Sequence, residues 1–394
     1  MKIDFAKCEY GQEEKDAVNK VMESSWLASG PETEMFEKEF ASYVGVSYAV
    51  CVNSGTSANL IALASLNLPN GSKVLTSACG FPATLTPILH LGLEPVLVDY
   101  DLSTLNIDVK QVLRAIITSE IKAVIIAHSL GNPVDLAHIR YVCNQMGIAV
   151  IEDCCEAVGS KLNGQSVGSK ATLATFSFYP AHQITALGGG GMITTNSKEL
   201  WIKMKSLRDW GKVWDWDDKL GHATTSFNQT EFLDYDKPYY KHYTYQSVGW
   251  NMKLPDANSA FGRVQLKKLD RIHEERSAVY NYIKSGIEKL GFGHVEVLPN
   301  AQVSWFGFPL VLKRGDRNSF SKFLIENGIG HRPFFAGNIT RHKPFGHLKG
   351  DFQVADRIMD RVLFFGCWQG MTHEQMDYII EKVKEWTLIN TDYQ

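Results

Sequence analysis

Short apolar runs that are rich in β-branched residues recur along the first two-thirds of the chain. They occupy residues 47–52, 73–76, 95–99, 122–127, 148–152, 172–178 and 192–195. Most of them are separated by segments of helical length, at residues 55–67, 82–92, 108–118 and 134–146. Buried strands that alternate with helices are typical of a mostly parallel sheet covered on both faces. The pattern therefore predicts an α/β domain built on a mostly parallel sheet, with one strand for each of these runs.

The rest of the chain has a different pattern. Residues 209–248 are rich in Trp, Asp, Lys and Tyr and have weak periodicity, which predicts a long loop over the active site or at a subunit interface. A helix begins near residue 256, and a strand, a helix and a strand follow before a last helix near residues 373–388. We predict a large α/β domain at residues 1–255, including the loop, and a smaller α+β domain at residues 256–394.

Composition narrows the class of protein. The chain has 394 residues, of which 44% are apolar and 21% are charged, and its formal net charge of -3 argues against a nucleic-acid or membrane partner. The N-terminus carries charges where a secretory signal needs an apolar core, so we expect a cytoplasmic protein. Seven cysteines without a CxxC pair favour reduced thiols over disulfides or a metal site.

Three polar segments follow predicted strands, where an open parallel sheet binds its ligands. Residues 53–59 (NSGTSAN) form a small-residue turn that opens a helix, and such a turn suits a phosphate group, although most such turns only cap helices. Residues 152–156 (EDCCE) follow the fifth strand, and a carboxylate there could keep a pyridine nitrogen protonated. An isolated aspartate at that place more often caps a helix. Ser177 and His182 follow the sixth strand.

Together, these segments resemble in order and spacing the DegT/StrS family of sugar-nucleotide aminotransferases, and the resemblance covers nearly the whole chain. It implies an aspartate-aminotransferase-like fold (fold type I) and pyridoxal or pyridoxamine 5′-phosphate as cofactor. It assigns cofactor contacts to Gly55, Thr56, Ser57, Phe81, Asp153, Glu156, Ser177 and Asn251. Asp153 would bind the pyridine nitrogen with support from Glu156, and Phe81 would stack on the ring unless it is a core residue. Asn251 would reach the phosphate of a neighbouring subunit in a homodimer, and the remaining four residues would hold the phosphate.

His182 departs from that family pattern. The aminotransferases carry a lysine at this position, five residues after the serine, and bind the cofactor to it covalently. A histidine cannot form that bond, but it can move protons near neutral pH. With histidine in place of lysine, the chain resembles the few family members that remove a hydroxyl from a sugar. A lone histidine after an aromatic run is more often structural, so the interpretation depends on the whole pattern.

We therefore predict a dehydratase that removes the C3 hydroxyl from a nucleotide-linked 4-keto-6-deoxyhexose, in the biosynthesis of dideoxysugars such as those of the lipopolysaccharide O-antigen. His182 would remove a proton from the cofactor and protonate the departing hydroxyl, and glutamate would restore the amine form of the cofactor. The sugar and diphosphate are predicted to contact Arg332, Asn338, Arg341, Tyr243 and Tyr245. A solvated loop and interface packing are the structural alternatives for these residues.

One group of such dehydratases carries an iron-sulfur cluster, with one cysteine after the aspartate motif and three more after an RDWG segment. Here Cys155 could be the first ligand, but Trp214, Asp215 and Trp216 occupy the region of the next two, and no cysteine lies between Cys155 and Cys367. We therefore expect no cluster. Two alternatives remain open: an aminotransferase that has lost its lysine, and a non-catalytic protein that binds the cofactor.

Overall fold

A seven-stranded sheet lies at the centre of the structure, a computed structural model. The structure describes residues 1–214, 227–228, 233–234, 237, 239–240, 243–313 and 316–390. Much of the loop predicted at residues 209–248, with Asp215 and Trp216, lies outside the described residues. Within the described part of the chain, no helix has the length and apolar character that crossing a membrane requires.

The strands of this large sheet follow the apolar runs of the sequence. They are β1 (Tyr48–Val52), β2 (Lys73–Ser77), β3 (Glu94–Val98), β4 (Ala123–Ala127), β5 (Ala149–Asp153), β6 (Leu173–Ser177) and β7 (Gly191–Thr195). Their spatial order is β1-β7-β6-β5-β4-β2-β3, and β7 runs antiparallel to both of its neighbours while the other neighbouring pairs are parallel. The predicted mostly parallel sheet is confirmed, with each strand within one residue of its predicted ends.

Helices cover the sheet and join its strands. They are α1 (Gln12–Ser24), α2 (Pro31–Val44), α3 (Gly55–Ser65), α4 (Pro82–His90), α5 (Val109–Thr118), α6 (Ala137–Met146) and α7 (Lys198–Arg208). The helix predicted at residues 134–146 begins only at Ala137. Just before it, the Asp135 side chain accepts a hydrogen bond of 3.0 Å from the backbone N–H of Ala137, and such a local bond favours a turn over a further helical turn.

The C-terminal part of the chain forms a second sheet. Its elements are α8 (Asp256–Ile287), β8 (Gly307–Val311), α9 (Arg317–Glu326), β9 (His331–Pro333), α10 (Gln353–Arg361), β10 (Val362–Gly366) and α11 (His373–Ile389). Strand β10 lies between β8 and β9 and is antiparallel to both. Two-residue strands occur at Tyr100–Asp101, Asn106–Ile107, Lys161–Leu162, Gln165–Ser166, Phe227–Asn228, Tyr239–Tyr240 and Ala301–Gln302.

The two sheets share apolar packing. Val124 and Ile126 of β4 are buried in the same cluster as Phe334 and Phe364 from the C-terminal part. Ile3 pairs with Ile329 and is buried in the core of the small sheet. The first residues of the chain therefore pack on the C-terminal part, and a boundary at residue 255 stays a prediction.

Candidate active site

A cavity of about 610 Å³ opens where the parallel strands of the large sheet end. Its walls come from the segments that follow β1, β2, β4, β5 and β6, and the C-terminal part closes it with Phe306, Arg332 and Phe335. This is the crevice where open α/β sheets bind ligands, and its volume suits a small organic molecule. Each of the three segments that the sequence singled out contributes to it.

Asp153, the last residue of β5, is fixed at the bottom of this cavity. Its Oδ2 accepts hydrogen bonds of 2.8 Å from the side chains of both Asn59 and Thr84, and its Oδ1 accepts one of 3.1 Å from the backbone N–H of Cys155. Asn59 is itself held by Thr175, whose hydroxyl donates to Asn59 Oδ1 at 2.6 Å. The carboxylate is therefore buried but fully oriented, as binding a protonated ring nitrogen requires.

Asn59 and Thr84 were not among the predicted site residues. Both lie in segments that were singled out for other residues, the NSGTSAN turn and the GFPATLTP segment. Each is a polar residue between two apolar neighbours of a largely apolar helix, and that was the available signal. Their role became visible only when the fold brought α3 and α4 next to β5.

The start of α3 forms a corner of the cavity that suits an anion. The first backbone N–H groups of a helix have no partner within the helix. A Cβ atom added at Gly55 would lie 2.8 Å from Ser177 Cβ and 2.9 Å from Cys155 Sγ, so only glycine fits there. Gly55, Thr56 and Ser177 line the cavity, whereas Ser57 is buried next to it and its hydroxyl lies 3.0 Å from that of Ser54.

Phe81 lies on the cavity wall and not in the core. Its side chain is 56% exposed, and its ring meets that of Phe335 edge to face with the centroids 6.3 Å apart. An exposed ring in the cavity that also contains Asp153 suits stacking on a planar ligand.

His182 lines the same cavity and is partly accessible from it. Its ring packs against Phe306 with the centroids 5.0 Å apart, and its buried Nδ1 has no hydrogen-bond partner among the described residues. Burial lowers the pKa of His182 to about 3, and the positive charge of Arg276 adds to that effect. The imidazole is therefore neutral at physiological pH and can accept a proton.

Glu156 lines the cavity near Asp153, and its predicted supporting role at the ring nitrogen stays a prediction. Its Oε2 accepts a hydrogen bond of 2.7 Å from the backbone N–H of Leu130. Burial raises the pKa of Glu156 to about 8, with a further contribution from the charge of Asp153, although the Leu130 hydrogen bond acts in the opposite direction. Glu156 therefore keeps its proton at neutral pH.

Of the predicted substrate contacts, Arg332 reaches the cavity. Asn338 is fully buried away from it, because its Nδ2 donates to Asp356 Oδ1 at 2.8 Å and its Oδ1 accepts from Thr340. Arg341 forms an ion pair with the same Asp356. These two side chains hold the loop after β9 together, and the structure does not bring them to the cavity.

Three predicted residues are exposed outside the cavity of their own chain. Tyr243 and Tyr245 are 57% and 46% exposed, and Asn251 is exposed beside Asp209, with which it forms a β-bridge. None of the three lines this cavity. Their predicted contacts would therefore need a second copy of the chain.

Behind the cavity, His128, Glu152 and Cys154 form one group of possible metal ligands among the described residues. The carboxylate of Glu152 already accepts hydrogen bonds from Arg140 at 2.8 Å and from the Gly168 N–H at 2.7 Å, and it lies 3.1 Å from His128 Nε2. The other ring nitrogen of His128, Nδ1, accepts a hydrogen bond of 3.0 Å from the backbone N–H of Val134. Internal partners thus occupy these groups, and the absence of a metal stays a prediction.

Comparison with known proteins finds similarity over nearly the whole chain. Residues 9–384 match the model of a family described as the DegT/DnrJ/EryC1/StrS aminotransferase family. The chain is 37% identical over 386 residues to a lipopolysaccharide biosynthesis protein of Salmonella typhimurium, over 93% of this chain and 87% of the relative. It is 36% identical over 379 residues to dTDP-4-dehydro-2,6-dideoxy-D-glucose 3-dehydratase of Saccharopolyspora spinosa, over 91% of this chain and 81% of the relative.

A solved structure of similar fold is that of E. coli GDP-4-keto-6-deoxy-D-mannose-3-dehydratase with bound hydrated PLP. It matches with a TM-score of 0.86 at 26% identity, over 96% of this chain and 98% of that chain. The predicted fold type is confirmed by this match.

Glu156→Gln is expected to change how the stability of the cofactor-free protein depends on pH. Because the pKa of Glu156 is raised from 4.5 to about 8, the native state keeps a proton between these values that the unfolded state releases. The contribution of this proton to the stability of the folded protein is fully present at low pH and is lost as the pH rises through about 8. Glutamine cannot ionise, so the variant should gain about 1 kcal/mol or more relative to the wild type between about pH 5 and about pH 8.

Urea unfolding of both proteins at the two pH values measures this difference. Glu326→Gln is a suitable control, because that side chain is 62% exposed. Its stability relative to the wild type should be nearly the same at both pH values. A Glu156→Gln effect that is also independent of pH would contradict a raised pKa at this site.

Proposed function

The chain belongs to the DegT/DnrJ/EryC1/StrS aminotransferase family, and on this premise we propose that it removes the C3 hydroxyl of a nucleotide-linked 4-keto-6-deoxyhexose. The product would be a 4-keto-3,6-dideoxyhexose. One observation carries the proposal: His182, at the position of the family's lysine, lines a cavity beside the anchored carboxylate of Asp153. The relatives named as 3-dehydratases and the lipopolysaccharide biosynthesis protein support it.

The cavity fits pyridoxal or pyridoxamine 5′-phosphate. The start of α3 and Ser177 would hold the phosphate where only glycine fits at position 55, Asp153 would pair with the ring nitrogen, and Phe81 would cover the ring face. When bound, the pyridoxamine form supplies an amine for the C4 ketone of the sugar and a ring that accepts electrons. Asp153 supports that second property because its carboxylate is held in place by Asn59 and Thr84.

His182 would act as the base and later as the acid. Its imidazole is neutral, since burial lowers its pKa to about 3, and it has no internal hydrogen bond at Nδ1 within the described residues that would compete for a proton. After accepting one proton, His182 could return it to the C3 hydroxyl and so convert a poor leaving group into water. A lysine would instead bind the cofactor covalently and favour reversible amino transfer.

The roles proposed for the other predicted substrate and cofactor contacts depend on where these residues lie relative to the cavity. Arg332 is the proposed contact for the sugar or diphosphate, because this residue lines the cavity. Asn338 and Arg341 would act indirectly, by shaping the loop through Asp356. Tyr243, Tyr245 and Asn251 would meet the cavity of a second copy in a homodimer. Glutamate is the proposed amino donor that restores the pyridoxamine form.

The substrate proposal is tested with a panel of CDP-, GDP- and dTDP-linked 4-keto-6-deoxy sugars, with glutamate and pyridoxal phosphate present. Mass spectrometry should find, for at least one of them, a sugar product that has lost one oxygen atom and gained no nitrogen. A product that keeps all its hydroxyls and carries a new amino group would make the protein an aminotransferase. No turnover and no glutamate-dependent change in the cofactor spectrum would favour a non-catalytic binding protein.

Substitution of His182 separates cofactor binding from proton transfer. His182→Asn should keep cofactor binding but slow dehydration by about 10²- to 10⁴-fold, because the titratable base is lost. Borohydride should leave no cofactor attached to the wild type, whereas His182→Lys should become covalently labelled and shift towards amino transfer. Rate assays and mass spectrometry of the intact chains measure these outcomes. A His182→Asn variant with the full dehydration rate would exclude His182 as the base.

A further inference from the structure

Arg276 is a buried cation in the middle of α8. Its side chain is 2% exposed, and its guanidinium donates to the carbonyl oxygens of Trp305 at 2.8 Å and Phe306 at 2.9 Å, and to Gln369 Oε1 at 3.4 Å. All three acceptors are neutral, and no ion pair joins Arg276 to a carboxylate in the described part of the chain. Burial without a counter-charge is costly for an ionic group, so the neighbours of this guanidinium are informative.

The two carbonyls belong to a segment that reaches His182. Phe306 packs its ring against the His182 imidazole at a centroid distance of 5.0 Å and lines the cavity. The backbone N–H of Phe306 donates to Leu130 O at 2.9 Å. One residue earlier, Trp305 stacks on Tyr280 of α8 with the centroids 3.8 Å apart. The segment is thus held to α8 on one side and contacts the catalytic region on the other.

Hydrogen bonding alone does not orient the imidazole. His182 Nδ1, Gln183 Oε1 and Ser304 Oγ are all buried and lack a hydrogen-bond partner among the described residues. The ring of His182 is placed by aromatic contacts with Phe306 and Tyr179. A shift of the segment that carries Phe306 would therefore move the imidazole directly.

We propose that Arg276 is a positioning residue for His182, fixing the imidazole through the backbone of Trp305 and Phe306. This inference rests on the proposed role of His182 as the base. The planar guanidinium matches the task, because its fixed fork of donors spans two successive carbonyls, which a lysine ammonium cannot do in the same geometry.

The charge of Arg276 has a second effect on the same ring. Burial is the main cause that lowers the pKa of His182, and the Arg276 charge adds to it. Burial also lowers the pKa of Arg276 itself, to about 10, so the guanidinium remains charged at neutral pH. The other titratable or charged groups at the cavity are Tyr100, His128, Asp153, Cys155, Glu156, Tyr179 and Arg332. The charge of Arg276 favours the neutral imidazole.

An NMR titration of His182 tests this proposal without depending on activity. Full-length protein with labelled histidine is titrated from about pH 8 down to about pH 2.5, before and after saturation with pyridoxal 5′-phosphate, with circular dichroism at each pH to confirm the native fold, and His182→Asn identifies the signal. Arg276→Gln should raise the pKa of His182 by about one unit or more relative to the wild type. Arg276→Lys keeps a charge and should raise it less. Arg271→Gln is the matched control on α8, because its partners Glu9 and Glu275 lie at the surface, and it should change nothing.

Dehydration kinetics give the second readout. Arg276→Gln and Arg276→Lys should both lower kcat by about 10-fold or more with KM within about 2-fold, because the geometry of the base is lost in both. Phe306→Leu keeps both backbone carbonyls and removes the ring contact with His182, so it should lower kcat by a similar factor. If Arg276→Gln does not fold, the kcat values of Arg276→Lys and Phe306→Leu together test the proposal.

A folded Arg276→Gln protein whose His182 titration and kcat equal those of the wild type would overturn the proposal, as would a wild-type kcat in both Arg276→Lys and Phe306→Leu. Failure of the proposed function is a separate result. A wild type that dehydrates no sugar would refute the function, and the His182 titration would still decide whether Arg276 controls this ring.

Discussion

The fixed carboxylate of Asp153 is the constraint around which the cavity is organised. It lies at the end of a central parallel strand, and its two oxygens are bound by Asn59 from α3, Thr84 from α4 and the N–H of Cys155. Because α3 and α4 begin beside Asp153, their first residues become the walls of the cavity: Gly55 and Thr56 in the anion corner, and Phe81 on the wall. One buried carboxyl group, with hydrogen bonds from both helices, thus holds the first turns of α3 and α4 beside the cavity.

The acid-base groups of this cavity have opposite environments. Asp153 is surrounded by donors, while His182 and Glu156 are pushed towards their neutral forms by burial, with pKa values of about 3 and about 8. Titratable groups whose pKa values are driven apart in one cavity are typical of acid-base catalysis. A neutral base in the same cavity as the anchored Asp153 side chain suits proton removal that feeds electrons towards a ring paired with that side chain.

Local sequence patterns predicted the strands and most of the helices, because burial on both faces of a parallel sheet leaves a continuous apolar run for each strand. They also placed Gly55, Asp153, Ser177 and His182 at one edge, because the carboxyl ends of parallel strands meet there. Residue type alone misled at Asn338 and Arg341, since it could not show that Asp356, many residues later, engages both.

Other features of the site could not be predicted from local sequence patterns, because they depend on contacts between distant parts of the chain. Arg276 lies within an ordinary amphipathic helix, and its acceptors Trp305 and Phe306 are about thirty residues further on. Asn59 and Thr84 depend in the same way on the packing of two helices against β5. The proposed contacts of Asn251 and Tyr245 would need a second chain, and a single chain cannot show them.

The central claim is that this cavity removes the C3 hydroxyl and transfers no amine to the sugar. The direct measurement is the NMR spectrum of the sugar product formed in D₂O with the preferred nucleotide sugar, glutamate and cofactor. The account predicts deuterium from the solvent on C3, no hydroxyl at C3 and no amino group at C4. A product that keeps the C3 hydroxyl and carries an amino group at C4 would contradict it.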